Sequence, residues 1–275
     1  PIGANDTGVA AGSYAIAVSP VNGTVVINQN LVAVPSLTTV TYTPKANFNG
    51  VDKFSYVAVG LDGAKTTLAD VTVTVTPVND PPTALADGAC SLLGKSLSLN
   101  VMANDFDVDG NLVAGSASII ASGAGNLGSA VMANGILSYT APLSLPLGVA
   151  SAVDTFDYQI VDSAGEVSAP ARVSIYLYSS EAITVTSAIY TTKQLKWVVT
   201  GTSSILNPAC GNIVTAVSGS TLSGAVIGSA AVDTLGNWAI QFVPSSVPVS
   251  STKTISVKSR LGGSRLAVPR SEEHT

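Results

Sequence analysis

Apolar and polar residues alternate along this chain with a period of two. In 70–76, Val71, Val73 and Val75 fall on one face of an extended segment and Thr72, Thr74 and Thr76 on the other, the signature of a half-buried strand. Val173, Ile175 and Leu177 repeat the pattern further on. Turn dipeptides punctuate such runs at short intervals, at Asn22-Gly23, Asn49-Gly50, Asp62-Gly63, Asp109-Gly110 and Asn134-Gly135. That spacing predicts an all-β sandwich. No segment sustains an apolar period of 3.6 residues, so helices are expected to be scarce.

Landmarks recur in order. Tyr42 and Pro44, then Asp52, Phe54 and Tyr56, then Asp62 and Gly63, then Val71, Val73 and Val75 are answered by Tyr139 and Pro142, Asp154, Phe156 and Tyr158, Asp162 and Gly165, and Val173, Ile175 and Leu177. The copies stand roughly a hundred residues apart, the size of one sandwich domain. Their openings are aligned here as Pro1–Asp6 against Pro82–Asp87. In each copy the Asp-x-Phe-x-Tyr segment places Phe and Tyr on one strand face, where the tyrosines Tyr56 and Tyr158 are expected in the core with their hydroxyls on backbone partners.

The prolines Pro77, Pro81 and Pro82 withdraw backbone donors just after a strand and mark a short, stiff linker. A second boundary is expected near Tyr178–Glu181. Short strands follow around Trp197, 213–217, 225–227, 238–242 and 254–257. The expected division is 1–80, 81–179 and 180–262, with 263–275 as a tail that gathers Arg265, Arg270, Glu272 and Glu273.

With 275 residues, 46% of them hydrophobic, each unit can bury a core without metals. Only 11% are charged, less than half the ~25% usual in soluble proteins, and two readings stay open: a secreted or surface-displayed chain whose faces neighbours cover, or a merely charge-poor monomer. A net charge of −5 supplies no basic stripe for phosphate backbones, so nucleic acid is excluded as a partner. No apolar run reaches the ~20 residues of a membrane span, so no membrane insertion is expected. The chain begins at Pro1 with neither Met nor a signal sequence, and is expected to be a mature product or an excised piece.

The segment Tyr42, Pro44, Phe48, Gly50, Asp52, Phe54, Tyr56, Asp62, Gly63, Val71, Val73, Val75, Pro77, Asn79, Asp80, Pro81 and Pro82 resembles the cadherin-like and bacterial immunoglobulin-like repeats of secreted and surface proteins. The second copy matches at Asn104–Gly110 and at its end, but has 143–148 where the Phe-x-Gly element belongs. The third unit is similar to bacterial immunoglobulin-like modules more loosely, through 199–202 and 233–238. The resemblance implies tandem immunoglobulin-like or cadherin-like β-sandwich domains arranged end to end, extracellular placement, and a spacer, adhesive or scaffold role.

Asp105, Asp107 and Asp109 alternate ahead of Gly110. Oxygen ligands so spaced can wrap calcium, but the twelfth position from Asp105 is Ser116, where an EF-hand loop needs a bidentate Glu. Any calcium shell would draw further ligands from Asn79, Asp80 and Asp87, in the manner of cadherin-like linkers. The competing reading is an Asp-rich turn bonded to its own backbone. Repeat one is read as lacking the equivalent segment.

Cys90 and Cys210 show no metal or haem spacing, and three arrangements stay open: a bridge between the second and third units, pairing between molecules, or two free thiols. Trp197 and Trp238 offer a sugar platform, but Trp197 is in register with Val199, and Trp238 with Ile240 and Phe242, which places them in the core. The single His lies in the tail, so nucleophilic catalysis has no base. The expectation is a non-catalytic module that spaces, scaffolds or packs within a bacterial surface protein or filament, with other protein chains as partners. The alternative is a glycan- or protein-binding accessory module of a larger secreted enzyme.

Overall fold

The computed structural model describes residues 1–29, 38–122, 127–191, 196–243 and 254–273. They form two compact units, Pro1–Asp80 and Pro81–Thr275. Both are built from strands, and among the described residues the one helical element is a three-residue 3-10 turn at Pro208–Cys210.

The first unit holds β1 (Ala15–Val18), β2 (Gly23–Asn28), β3 (Thr39–Pro44), β4 (Gly50–Val57) and β5 (Ala69–Val75). They assemble into a sheet ordered β1-β4-β5 and a β2-β3 hairpin. On β4 the alternation turns Asp52, Phe54 and Tyr56 inward. The core gathers Ile2, Val9, Tyr14, Tyr56 and Ala58.

The second unit begins with β6 (Asp87–Leu92), β7 (Ser96–Asn100), β8 (Ser118–Ser122), β9 (Ser129–Ala133), β10 (Ile136–Thr140), β11 (Ser151–Gln159) and β12 (Ala171–Tyr178). Sheets ordered β7-β10-β9 and β6-β12-β11-β8 enclose a core around Leu137, Tyr139, Phe156, Tyr158 and Ile175. β6 runs parallel to β12 and seals its outer edge, pairing Val173 with Asp87 through to Tyr178 with Leu92.

Beyond it lie β13 (Ile183–Thr191), β14 (Lys196–Ser203), β15 (Ile213–Ser218), β16 (Val226–Ala231), β17 (Asn237–Phe242), β18 (Thr254–Ser259), β19 (Ser264–Pro269) and β20 (Ser271–Glu273). Sheets ordered β17-β14-β13-β20 and β16-β15-β18-β19 close over Tyr190, Trp197, Val199, Trp238, Ile240 and Val257. Gly201 pairs with Trp238 across β14 and β17, and a Cβ at Gly201 would stand 2.2 Å from the indole. The indole therefore lies flat over a backbone that carries no side chain.

The stretch expected as a tail from 263 is instead two strands: β19 pairs with β18, and β20 runs parallel to β13. Arg265 and Arg270 interrupt the apolar alternation there and hide the strands from a hydrophobicity reading. The guanidinium of Arg270 lies over the rings of Tyr190 and Trp197, 5.2 and 5.6 Å from their centroids. Residues 274–275, with the histidine, lie outside the described residues.

Hydrogen bonding also corrects the alignment of the two copies. Ile2 N donates to Thr38 O at 3.0 Å as Val101 N does to Gly135 O at 3.1 Å. The Tyr56 hydroxyl reaches Ile2 O and Asp6 as the Tyr158 hydroxyl reaches Val101 O and Asp105. Ala58 N donates to Thr66 Oγ1 as Ile160 N donates to Ser168 Oγ. Ile2–Asp6 thus answers to Val101–Asp105, not to 83–87. Repeat one therefore keeps Asn5 and Asp6 in the place of Asn104 and Asp105, and lacks only the later aspartates. The shared Pro and Asp of the two openings misled the sequence alignment.

Candidate functional site

The second unit concentrates polar chemistry in three places. At the end of β11, the alternation that buries Phe156 also turns Tyr158 inward, where it is 0% exposed. Its hydroxyl stands 2.8 Å from Leu85 O, 3.0 Å from Val101 O, and 3.0 Å from both Asp87 Oδ2 and Asp105 Oδ1. Asp105 Oδ2 follows at 3.1 Å, and since one O–H has a single hydrogen to donate, five acceptor oxygens around it outnumber the available donor. Burial foremost, with the Asp105 charge beside it, pushes the Asp87 carboxyl up to about 6, against the hydrogen bond from Tyr158. Burial and the two carboxylates hold the Tyr158 hydroxyl far above its ordinary range, so it stays protonated.

In the loop of Asp105, Asp107 and Asp109, the first two side chains accept from different partners. Asp105 also accepts from Leu85 N at 2.8 Å, tying the loop to the start of β6. Asp107 accepts from Asp109 N at 2.7 Å, an Asx turn that closes at Gly110 with φ 73°. Asp87 and Asp105 are brought together at the Tyr158 hydroxyl, and Asp107 and Asp109 meet in the turn. Asn79 and Asp80 end the first unit, where Asn79 Nδ2 donates to Asp80 O at 3.4 Å. Among the described residues no three Asp, Glu, His or Cys side chains gather where they could hold a metal ion.

The second place is a buried aspartate at the start of the Asp-x-Phe-x-Tyr segment. Asp154, 2% exposed, accepts from Leu127 N at 3.0 Å, Gly128 N at 2.9 Å and the Tyr139 hydroxyl at 2.8 Å. In the first unit Asp52 accepts from Asn22 N at 2.8 Å and the Tyr42 hydroxyl at 2.9 Å. Sequence reasoning used these aspartates as landmarks and gave them no role; their signal was the strict recurrence of Tyr ahead of Asp in both copies.

The third place joins the two cores of the second unit. Cys90 on β6 and Cys210 in the 3-10 turn form a disulfide, with Cα atoms 4.8 Å apart, across 120 residues of sequence. Ile205, Leu92, Tyr176, Tyr178 and Leu261 pack around it. Next to it Glu181 accepts from Ser203 Oγ at 2.7 Å, Asn212 Nδ2 at 2.6 Å, Gly263 N at 3.0 Å and the Ser259 hydroxyl. Glu181 was foreseen only as a boundary residue. A cleft of about 580 Å³ runs beside the bridge, flanked by Lys95 and Arg260. Both cysteines are consumed by the bridge, so neither offers a thiolate. Trp197 and Trp238 are each 3% exposed. Among the described residues no helix is long and apolar enough to cross a membrane.

The profile of the bacterial Ig domain matches residues 1–76 and 79–176, more than half of the chain. The chain belongs to the bacterial Ig domain family. Comparison with curated proteins gives no match. Among solved structures, the Ig-domain chain is similar to Drosophila N-cadherin EC1-4 at 13% identity, covering 95% of this chain and 67% of that one with a TM-score of 0.40. It is similar to the protocadherin GammaB4 extracellular domain at 14% identity, covering 94% and 43% with a TM-score of 0.35. Human protocadherin-24 EC1-2 gives 14% identity, 61% and 82% coverage, and a TM-score of 0.38.

Proposed function

We propose that this bacterial Ig-domain chain is a non-catalytic structural and adhesive module of a bacterial outer surface, serving as spacer, scaffold or packing subunit among other protein chains. One observation carries the proposal: every buried polar cluster described above fastens strands to one another, and the disulfide fastens one core to the next. Such a bridge persists in oxidising compartments. We read the chain as sandwiches at 1–80, 81–179 and 180–262, the last extended by the strands from Ser264; a hydrophobic core in each supports the reading. Glycan binding through the two tryptophans finds no support, since both are buried.

The test is exposure on living cells. An amine reagent that cannot cross membranes, applied to intact cells that carry the parent protein, is expected to modify the exposed Lys53 and Lys65. Modification only after lysis would rule the surface reading out.

Calcium at Asp105, with Asp87 beside it, is a second reading. It rests on the excess of acceptor oxygens around the Tyr158 hydroxyl, which a cation would relieve. Asp107, Asp109, Asn79 and Asp80 are the further oxygen ligands this reading would call on. Calorimetry with millimolar calcium is expected to show binding heat that Asp105→Asn removes; no heat in either protein ends this reading.

A further inference from the structure

The cleft of about 580 Å³ beside the disulfide has two walls of different character. One wall is β6, and the turns at 208–211 and 260–262 press on it along its length. A Cβ at Gly88 would stand 3.1 Å from the Ala209 Cβ, Cys90 is bonded to Cys210, and a Cβ at Gly262 would lie 3.5 Å from the Leu92 side chain. The edge of β6 is therefore covered. The other wall is β7, which pairs with β10 and has no strand on its second side among the described residues. Alternate residues of such an edge turn their N–H and C=O groups outward.

Nothing along β7 guards that edge. Its five residues, Ser96–Asn100, carry no charge, no proline and no bulge in the ladder with β10, the devices that ordinarily keep one strand from recruiting another. Leu97 and Leu99 pack against the core, and Ser96 and Ser98 are exposed. Cations stand at the rim instead. Lys95 directly precedes the strand, and Arg260 lines the cleft from the opposite turn, its guanidinium 3.5 Å from Gly211 O. Both are exposed, neither has a carboxylate partner among the described residues, and no described carboxylate lines the cleft. In a chain of net charge −5 this is a local excess of positive charge, which disfavours a basic strand and selects an acidic one.

We propose that the cleft takes an extended acidic segment of another protein chain, which adds its backbone to the free edge of β7 while its carboxylates meet Lys95 and Arg260. An anionic polymer without a peptide backbone would satisfy the two cations and leave the strand edge unused, so a peptide is the better fit. A partner chain is what the adhesive reading above supplies, and this docking rests on it.

The test uses the full chain and a labelled ten-residue peptide in which Glu and Val alternate, with fluorescence anisotropy for affinity and amide hydrogen exchange for position. Saturating peptide is expected to slow exchange of the β7 amides at least tenfold. Affinity is expected to fall at least tenfold when Lys95→Glu and Arg260→Glu are combined, both exposed positions whose change leaves the core untouched. A fully N-methylated peptide, which keeps the carboxylates and loses every backbone donor, is expected not to bind. Absence of binding at millimolar peptide overturns the proposal. Binding of the N-methylated peptide or of polygalacturonate as tight as that of the parent peptide also overturns it, and would assign the cleft to anions in general. Because binding is measured on the isolated chain, it can fail while Lys53 and Lys65 are labelled on intact cells, and hold where they are not.

Discussion

The Tyr139 hydroxyl donates a 2.8 Å hydrogen bond to the Asp154 carboxylate and so links β10 of one sheet to β11 of the other. Tyr42 and Asp52 link β3 to β4 in the same way at 2.9 Å. The aspartate also receives the backbone N–H groups that enter β9, which makes it a staple between layers that hydrophobic packing alone would leave free to slide.

Asp154→Ala removes the acceptor of three backbone donors, Leu127, Gly128 and Thr155 N, and of a tyrosine hydroxyl, each costing about 1–3 kcal/mol when buried without an acceptor. Urea denaturation is expected to show a loss of more than about 3 kcal/mol. Asp154→Asn keeps one acceptor oxygen and is expected to lose less than half as much. Equal stability of the alanine variant and the parent would remove the staple from the account.

At Gly128 a Cβ would lie 2.2 Å from the Tyr139 hydroxyl oxygen and 2.5 Å from Thr140 O. Gly128→Ala must displace that ring, and is expected to cost about 1–3 kcal/mol in the same denaturation assay.

The carboxyl of Asp87, raised to about 6, binds protons more tightly in the folded chain than in the unfolded one. Its contribution to stability is therefore greatest below the ordinary carboxylate range and is lost as pH rises through about 6. Asp87→Asn carries no charge at any pH. Its melting temperature is expected to exceed the parent's at pH 8 and to converge on it by pH 4. A gap that widens on acidification would contradict the assignment.

Reduction of the Cys90–Cys210 bridge opens a loop of 120 residues, worth about 5 kcal/mol on the chain-entropy estimate. Non-reducing peptide mapping is expected to find the two cysteines in one linked pair. Reducing agent is expected to lower the melting temperature of the second unit, as does Cys210→Ser. Unlinked peptides in freshly isolated protein would contradict the bridge.

Arg270→Ala removes a cation from the faces of Tyr190 and Trp197, and is expected to cost about 1 kcal/mol. Arg270→Lys should recover part of it. A loss that Arg270→Lys leaves wholly unrecovered would point to the guanidinium's shape instead of its charge.

The strand architecture was legible because period-two alternation at Val71–Val75 and Val173–Leu177 is a local property, and so were the inward tyrosines Tyr56 and Tyr158. What escaped was tertiary. The partners of Asp154 arrive from Leu127, Gly128 and Tyr139 on other strands, and no spacing announces them. The pairing of Cys90 with Cys210 depends on how two cores meet, so sequence left three arrangements open. The aspartates at 105, 107 and 109 look like one cluster because they are neighbours in sequence, yet Asp105 turns to Tyr158 and Asp107 to its own turn. Pro1–Asp6 was aligned with 82–87 on matching residue types, whereas the hydrogen bonds of Tyr56 and Tyr158 match Ile2–Asp6 to Val101–Asp105, beyond the two strands β6 and β7.

Pulling the chain from its two ends by single-molecule force spectroscopy tests the structural role most directly. A string of stapled sandwiches is expected to give separate rupture events. With the bridge across 120 residues intact, the full extension is expected to be shorter than that of the reduced chain by about 400 Å, at roughly 3.4 Å per residue. Smooth extension without ruptures, or equal lengths before and after reduction, would contradict the account.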